Sequence, residues 1–171
     1  MKFWNTLSEH LSRPEYVHVL INPLPVYGLA VAIVALIMAL AAHNRVALVT
    51  ALVLVLLTSL SAWPTYLYGE AAYDRIKAVS DSVGEQWLDE HVARGERFIV
   101  IFYVLAGLAL SAIIAAAKWP RGSGPLGVAT LIIAITTLAI GSWIAYPGGH
   151  VRHKEFRFES PPPAQQPQKE P

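Results

Sequence analysis

Residues 24–63 read LPVYGLAVAIVALIMALAAHNRVALVTALVLVLLTSLSAW, two apolar runs interrupted only by His43-Asn44-Arg45. Each run, 24–42 and 46–63, is close to the roughly 20 residues that carry a helix across a hydrocarbon layer of about 30 Å. A connection this short joins them as an antiparallel helical hairpin. The pattern recurs at 98–117 and 126–146, joined by WPRGSGP at 119–125. None of the four runs holds Asp, Glu, Lys, Arg or His in its interior. The remainder of the chain is too small to bury four such helices. In lipid, an open chain satisfies its backbone groups only as helix. The fold class is therefore all-α, an integral membrane four-helix bundle in contact with the lipid bilayer.

Composition agrees. The 171 residues are 54% hydrophobic with a mean hydropathy of +0.44, and 15% are charged, against roughly 25% in soluble domains. A net charge of +1 without a basic, aromatic-interleaved stripe points to no nucleic-acid partner. The absence of cysteine removes disulfides, thiolate metal sites, iron–sulfur clusters and cysteine-linked haem.

Turn-forming residues set the expected boundaries. Asn22, Pro23 and Pro25 open the first helix, and Trp63-Pro64 ends the second, with Tyr66 and Tyr68 at interfacial depth. Pro147-Gly148-Gly149 stops the fourth. The segment before the first run carries Glu9, Arg13, Pro14 and Glu15 and does not read as a secretory signal. The transmembrane domain is expected over 1–159, with a disordered Pro/Gln-rich tail over 160–171. Both short turns then lie on one side, the turn face. The N-terminus, the segment 64–95 and the tail lie on the other, the loop face. All twelve acidic residues fall on the loop face, as do His10, His18, His91, His150 and His153. Polar chemistry belongs there.

Within 64–95, Ala72, Ile76, Val79 and Val83 recur on one helical face, while Glu70, Asp74, Lys77 and Asp81 occupy the rest. This predicts a short amphipathic helical loop lying on the interface or capping the bundle. Ser82-Val83-Gly84-Glu85 reads as a capping box. It starts a helix that places Trp87, Leu88 and His91 on one inward face.

The histidines are the residues suited to a metal or cofactor, since neutral imidazole ligates haem iron, zinc and copper. The candidates for a b-type haem are His91 paired with His150 or His153, with His18 able to replace either. Arg94, Arg97 and Arg152 stand close enough in sequence to meet haem propionates. The same His91, His150 and His153 are the candidate metal ligands, although no Glu-x-x-His pattern supports zinc. The plainer reading of each histidine is an interfacial hydrogen-bonding residue. No phosphate loop, Gly-x-Ser-x-Gly or Ser/His/acid set is present, so no catalytic residue is assigned and the chain is not expected to be an enzyme by itself. Helix interiors without ionisable groups disfavour a proton-coupled transporter.

Asn22-Pro23-Leu24-Pro25-Val26-Tyr27 resembles the His-Pro-Leu-x-Val-His opening of a bacterial family of four-helix membrane proteins of undefined function. Gly69-Glu70-Ala71-Ala72 resembles its Gly-Glu-x-Ala, His91 its histidine before helix three, and Gly148-Gly149 with His150 or His153 its closing Gly-Gly and histidine. The resemblance covers residues 17–153. Asn22 and Tyr27 replace two of the family's histidines. Members fused to cytochrome c or Rieske domains imply membrane electron transfer and a b-type haem. The expected function is thus a subunit or accessory of a membrane redox system, associated with other membrane subunits. The alternative is a cofactor-free structural or assembly protein. Of thirteen Lys and Arg, three (Arg45, Lys118, Arg121) lie on the turn face and ten on the loop face, which by positive charge puts the loop face in the cytoplasm. The short, purely basic turns and the implied fusions favour instead a periplasmic loop face in a bacterial inner membrane.

Overall fold

The computed structural model describes residues 2–162. The expected tail falls outside them apart from residues 160–162, which have no helical structure. The helices are α1 (Lys2–Leu11), α2 (Pro14–Ile21), α3 (Leu29–Ala41), α4 (Arg45–Leu60), α5 (Ala62–Ala78), α6 (Ser82–Phe98), α7 (Val100–Lys118) and α8 (Pro120–Arg152). Several run end to end. Four rods long and apolar enough to cross a membrane result: Pro14–Ala41, Arg45–Ala78, Ser82–Lys118 and Gly122–Arg152. Among the described residues there is no strand. The chain is an all-α, multi-pass membrane bundle.

The rods are 28, 34, 37 and 31 residues long, about 42 to 56 Å at 1.5 Å per residue, well beyond the ~30 Å a bilayer needs. The excess lies on the loop face, because on the other side the connections come directly after the apolar runs. There, His43 adopts a left-handed conformation (φ 50°) after α3, and the Asn44 side chain caps α4 by accepting from Ala47 N–H at 3.0 Å. The second turn is tighter than the sequence suggested. Trp119 alone breaks the helix, and Pro120 begins α8 at a position where its missing N–H is harmless.

Three expected helix ends are overturned. The first rod begins at Pro14, not at Pro23; Pro25 instead widens it into a π-helical turn over Leu24–Gly28, with Gly28 N–H reaching Pro23 O at 3.4 Å. The second rod does not end at Pro64: a one-residue break at Ser61 separates α4 from α5, and Pro64 lies in the first turn of α5. Pro147 lies buried inside α8, which runs on to Arg152. The segment 64–95 is helical, as expected, but forms no separate short helix. It is a pair of helical arms, α5 and α6, extending the second and third rods and turning at Val79–Asp81. Its expected apolar stripe holds at Ala72, 3% exposed, and fails at Val79, 64% exposed in the turn. The cap of α6 is Asp81 rather than Ser82, its carboxylate accepting from Gly84 N–H at 2.8 Å.

In the turn-face half, α4 packs on α7, α7 on α8, and α3 on both α4 and α8. Leu36, Leu52 and Leu105 are fully buried there, with Ala32, Ala109, Ala112 and Ala134 letting backbones approach. In the loop-face half the bundle divides. The α2 rod packs on α5 and α6 packs on α8, while α5 and α6 barely touch. They are tied near their tips, where Asp89 accepts from Tyr73 Oη (2.6 Å) and Lys77 Nζ (3.0 Å).

Candidate functional site

Between the α2–α5 pair and the α6–α8 pair lies a cleft of 1230 Å³. Its floor is Ala62, Phe102 and Gly141, and its mouth on the loop face carries His10, Arg13, Arg152 and His153. Trp143, exposed on α8, is followed at once by Ile144 on the cleft wall. The cleft therefore reaches from the loop-face ends of the apolar runs, where Phe102 and Gly141 lie, towards the loop-face end of the bundle.

Two histidines face each other across this space. His18, from α2, and His91, from α6, have ring centroids 6.4 Å apart and ring planes at 74°. Each Nδ1 bonds a main-chain carbonyl of the paired helix at 2.8 Å: His18 to Thr65 O on α5, His91 to Ile144 O on α8. A carbonyl only accepts, so both Nδ1 atoms carry the proton and both Nε2 atoms keep a free lone pair. Neither Nε2 has a hydrogen-bond partner among the described residues, and neither is sealed in the protein interior. Fixing the second nitrogen in this way is how metal-ligating imidazoles are oriented.

The other sequence candidates lie elsewhere. His150 is 4% exposed, its ring tilted against Trp87 at 4.5 Å and Tyr146 at 4.4 Å between centroids, with Nδ1 turned back to Tyr146 O. His153 is at the cleft mouth, exposed and paired with Glu155 at 2.9 Å. His91, His150 and His153 do not come together: among the described residues no three His, Asp or Glu side chains form a metal-binding group. Arg94 is not among the residues that line the cleft, although its partner Glu90 is. It donates from Nε to Glu90 (2.7 Å) and from Nη1 to Trp143 O (2.8 Å), and lies 4.0 Å over the Trp143 ring. Arg97 lies over Phe98. Arg152 does line the cleft and has no ion-pair partner among the described residues.

Nothing in the sequence pattern marked the acceptors Thr65 O and Ile144 O, or the second role of Pro147. A proline cannot donate to the carbonyl four residues back. Trp143 O is that carbonyl, and Arg94 serves it. A further unforeseen knot closes the loop-face end. Arg157 bonds Asp81 through two oxygens (3.0 and 2.9 Å) and caps α8 at His150 O and Val151 O (both 2.7 Å). The Arg157 guanidinium, then Lys154 and the Gly84 N–H, hold the Asp81 carboxyl well below the usual carboxylate range.

Comparison with protein-family models, curated proteins and solved structures gives no match for this chain.

Proposed function

We propose that the chain is a membrane-embedded b-type cytochrome, a one-electron carrier with a single haem held in the cleft between His18 and His91. The observation that carries this reading is the imidazole pair: two rings in an open cleft, one from each helix pair, 6.4 Å apart between centroids, each with Nδ1 engaged by a main-chain carbonyl and Nε2 without a hydrogen-bond partner among the described residues. Two metal–imidazole bonds of about 2.0 Å plus half a ring on either side come to roughly 6 Å. Two protein ligands suffice for haem iron, which has four in-plane nitrogens of its own, whereas a protein zinc site asks for three or four. Arg152 at the mouth suits a propionate, and the apolar floor suits the hydrocarbon edge of the macrocycle. When bound, the haem supplies one-electron redox chemistry. The protein's part is to fix both ligands, exclude lipid and water, and hold the redox centre close to the loop-face surface, where another membrane subunit or a soluble carrier can reach it.

Protein purified from haem-replete cells should show a Soret band and a reduced-minus-oxidised b-type spectrum. His18→Ala or His91→Ala should remove its low-spin character, and His43→Ala, on the opposite face, should not. A wild-type protein without Soret absorbance defeats this reading. It would leave the cofactor-free structural protein, in which both imidazoles serve to stitch helices together. The loop face is assigned to the periplasm of a bacterial inner membrane; a reporter fused after Pro171 that is active only in the cytoplasm reverses that assignment.

A further inference from the structure

The two imidazoles are held by the same local device, used twice. His18 bonds the carbonyl of Thr65, and the residue four positions on is Gly69; His91 bonds the carbonyl of Ile144, and four positions on is Gly148. In an α-helix a carbonyl already accepts from the N–H four residues later, so a second donor must approach past that residue's Cβ. Glycine leaves the approach open. A Cβ on Gly69 would stand 2.9 Å from both Cε1 and Nδ1 of His18, and one on Gly148 would stand 3.2 and 3.3 Å from the same atoms of His91. Each ring is thus fixed in rotation as well as position, and the two planes end at 74° to one another.

Resting on the b-haem reading above, the geometry points to Gly69 and Gly148 as the positioning residues that hold the His18 and His91 ring planes near-perpendicular, which would set the electronic character of a haem iron bound between them. Perpendicular planes make the two iron orbitals that interact with the imidazole π systems nearly equal in energy. Parallel planes separate them. The ferric protein should therefore give a strongly anisotropic low-spin electron paramagnetic resonance signal, with one resolved low-field feature, in place of the three-line rhombic signal of parallel imidazoles.

The test uses the full-length chain in detergent, oxidised, at liquid-helium temperature. Wild type should show the anisotropic signal. Gly69→Ala forces the His18 ring to turn away from Thr65 O, and should move the signal towards the rhombic form at unchanged haem content. Gly107→Ala, where a Cβ meets nothing within 4 Å, should leave it as in wild type. Gly148→Ala asks His91 to yield by only a few tenths of an ångström, and gives the measurement if Gly69→Ala takes up no haem. A rhombic signal from wild type overturns the inference while sparing the haem. So does an unshifted signal from both glycine variants. A wild type with no haem at all removes the b-haem reading itself.

Discussion

Replacing Arg94 by Ala isolates how a proline passes through α8 beside the cleft. The side chain is 11% exposed and its partner Glu90 16% exposed. The change removes the 2.7 Å bond to Glu90, the 2.8 Å bond to Trp143 O and the stacking 4.0 Å over the indole. Stranding one member of a closed ion pair costs about 3–5 kcal/mol, and a hydrogen bond from a charged donor contributes about 1.5–3 kcal/mol, which overlap rather than add. With both groups slightly open to solvent, about 3 kcal/mol is expected. The share owed to Trp143 O can be separated. Pro147→Ala supplies an N–H four residues after that carbonyl, so the helix satisfies it unaided. In that background Arg94→Ala should cost roughly 1–1.5 kcal/mol less than in wild type. Reversible unfolding of the four proteins in lipid–detergent bicelles completes the cycle. Additivity within about 0.5 kcal/mol would refute the idea that Arg94 substitutes for the amide hydrogen that Pro147 lacks.

Val79→Asp should lie within about 0.5 kcal/mol of wild type, since the side chain is 64% exposed, whereas Ala72→Asp, at a 3% exposed position, should cost several-fold more in the same unfolding assay. Trp87→Ala, 1% exposed against Leu88, Val151 and His150, should cost about 3–5 kcal/mol; thermal unfolding within about 1 kcal/mol of wild type would contradict that packing. Asp81 has its carboxyl lowered by Arg157, so its tie is complete above the unfolded carboxylate range and lost only as pH falls through the depressed folded value. Amide exchange at residues 82–85 and 153–158 should accordingly be unaffected by the tie between pH 8 and roughly pH 5. Asp81→Asn or Arg157→Ala should raise it at every pH, and a rise in wild type within that window would contradict the assignment of the tie to Asp81.

The apolar runs and the His43-Asn44-Arg45 turn placed four rods and one face correctly, because lipid imposes uniform apolarity and the connections have little freedom. The prolines misled. Pro25, Pro64 and Pro147 read as boundaries, yet each is absorbed: the first by a π turn, the second in the first turn of α5, the third by Arg94 on a neighbouring helix. Such repairs depend on residues far away in the chain and have no local signature. One consequence concerns the site directly. Asn22-Pro23-Leu24-Pro25 reads as the start of the first helix and leaves His18 ahead of it, so the sequence pattern pairs His91 with the histidines after α8. The inward direction of His91 was legible from Trp87 and Leu88 on the same face. Its partner was not, since that depends on α2 packing against α5.

The two halves of the molecule solve different problems with different side chains. In the bilayer, helices gain little from apolarity, because lipid is equally apolar; they associate by close packing, and the alanines of α3, α4, α7 and α8 allow it. Beyond the interface the four rods form two pairs. His18 stitches one, and His91 and Arg94 stitch the other, each to a main-chain carbonyl. Little protein spans the gap between the pairs. A ligand held by one histidine from each pair would close that gap and stabilise the folded state by about 4 kcal/mol at a free concentration a thousand times its Kd. The gain should be confined to the projecting half. If the haem proposed above is that ligand, adding it to haem-free protein should slow amide exchange in α2, α5 and α6 while leaving residues 105–116 of α7 and the α3–α4 contact unchanged. Protection spread evenly over the whole bundle would mean that the halves unfold as one unit, and that the cleft is not the weak joint its sparse contacts imply.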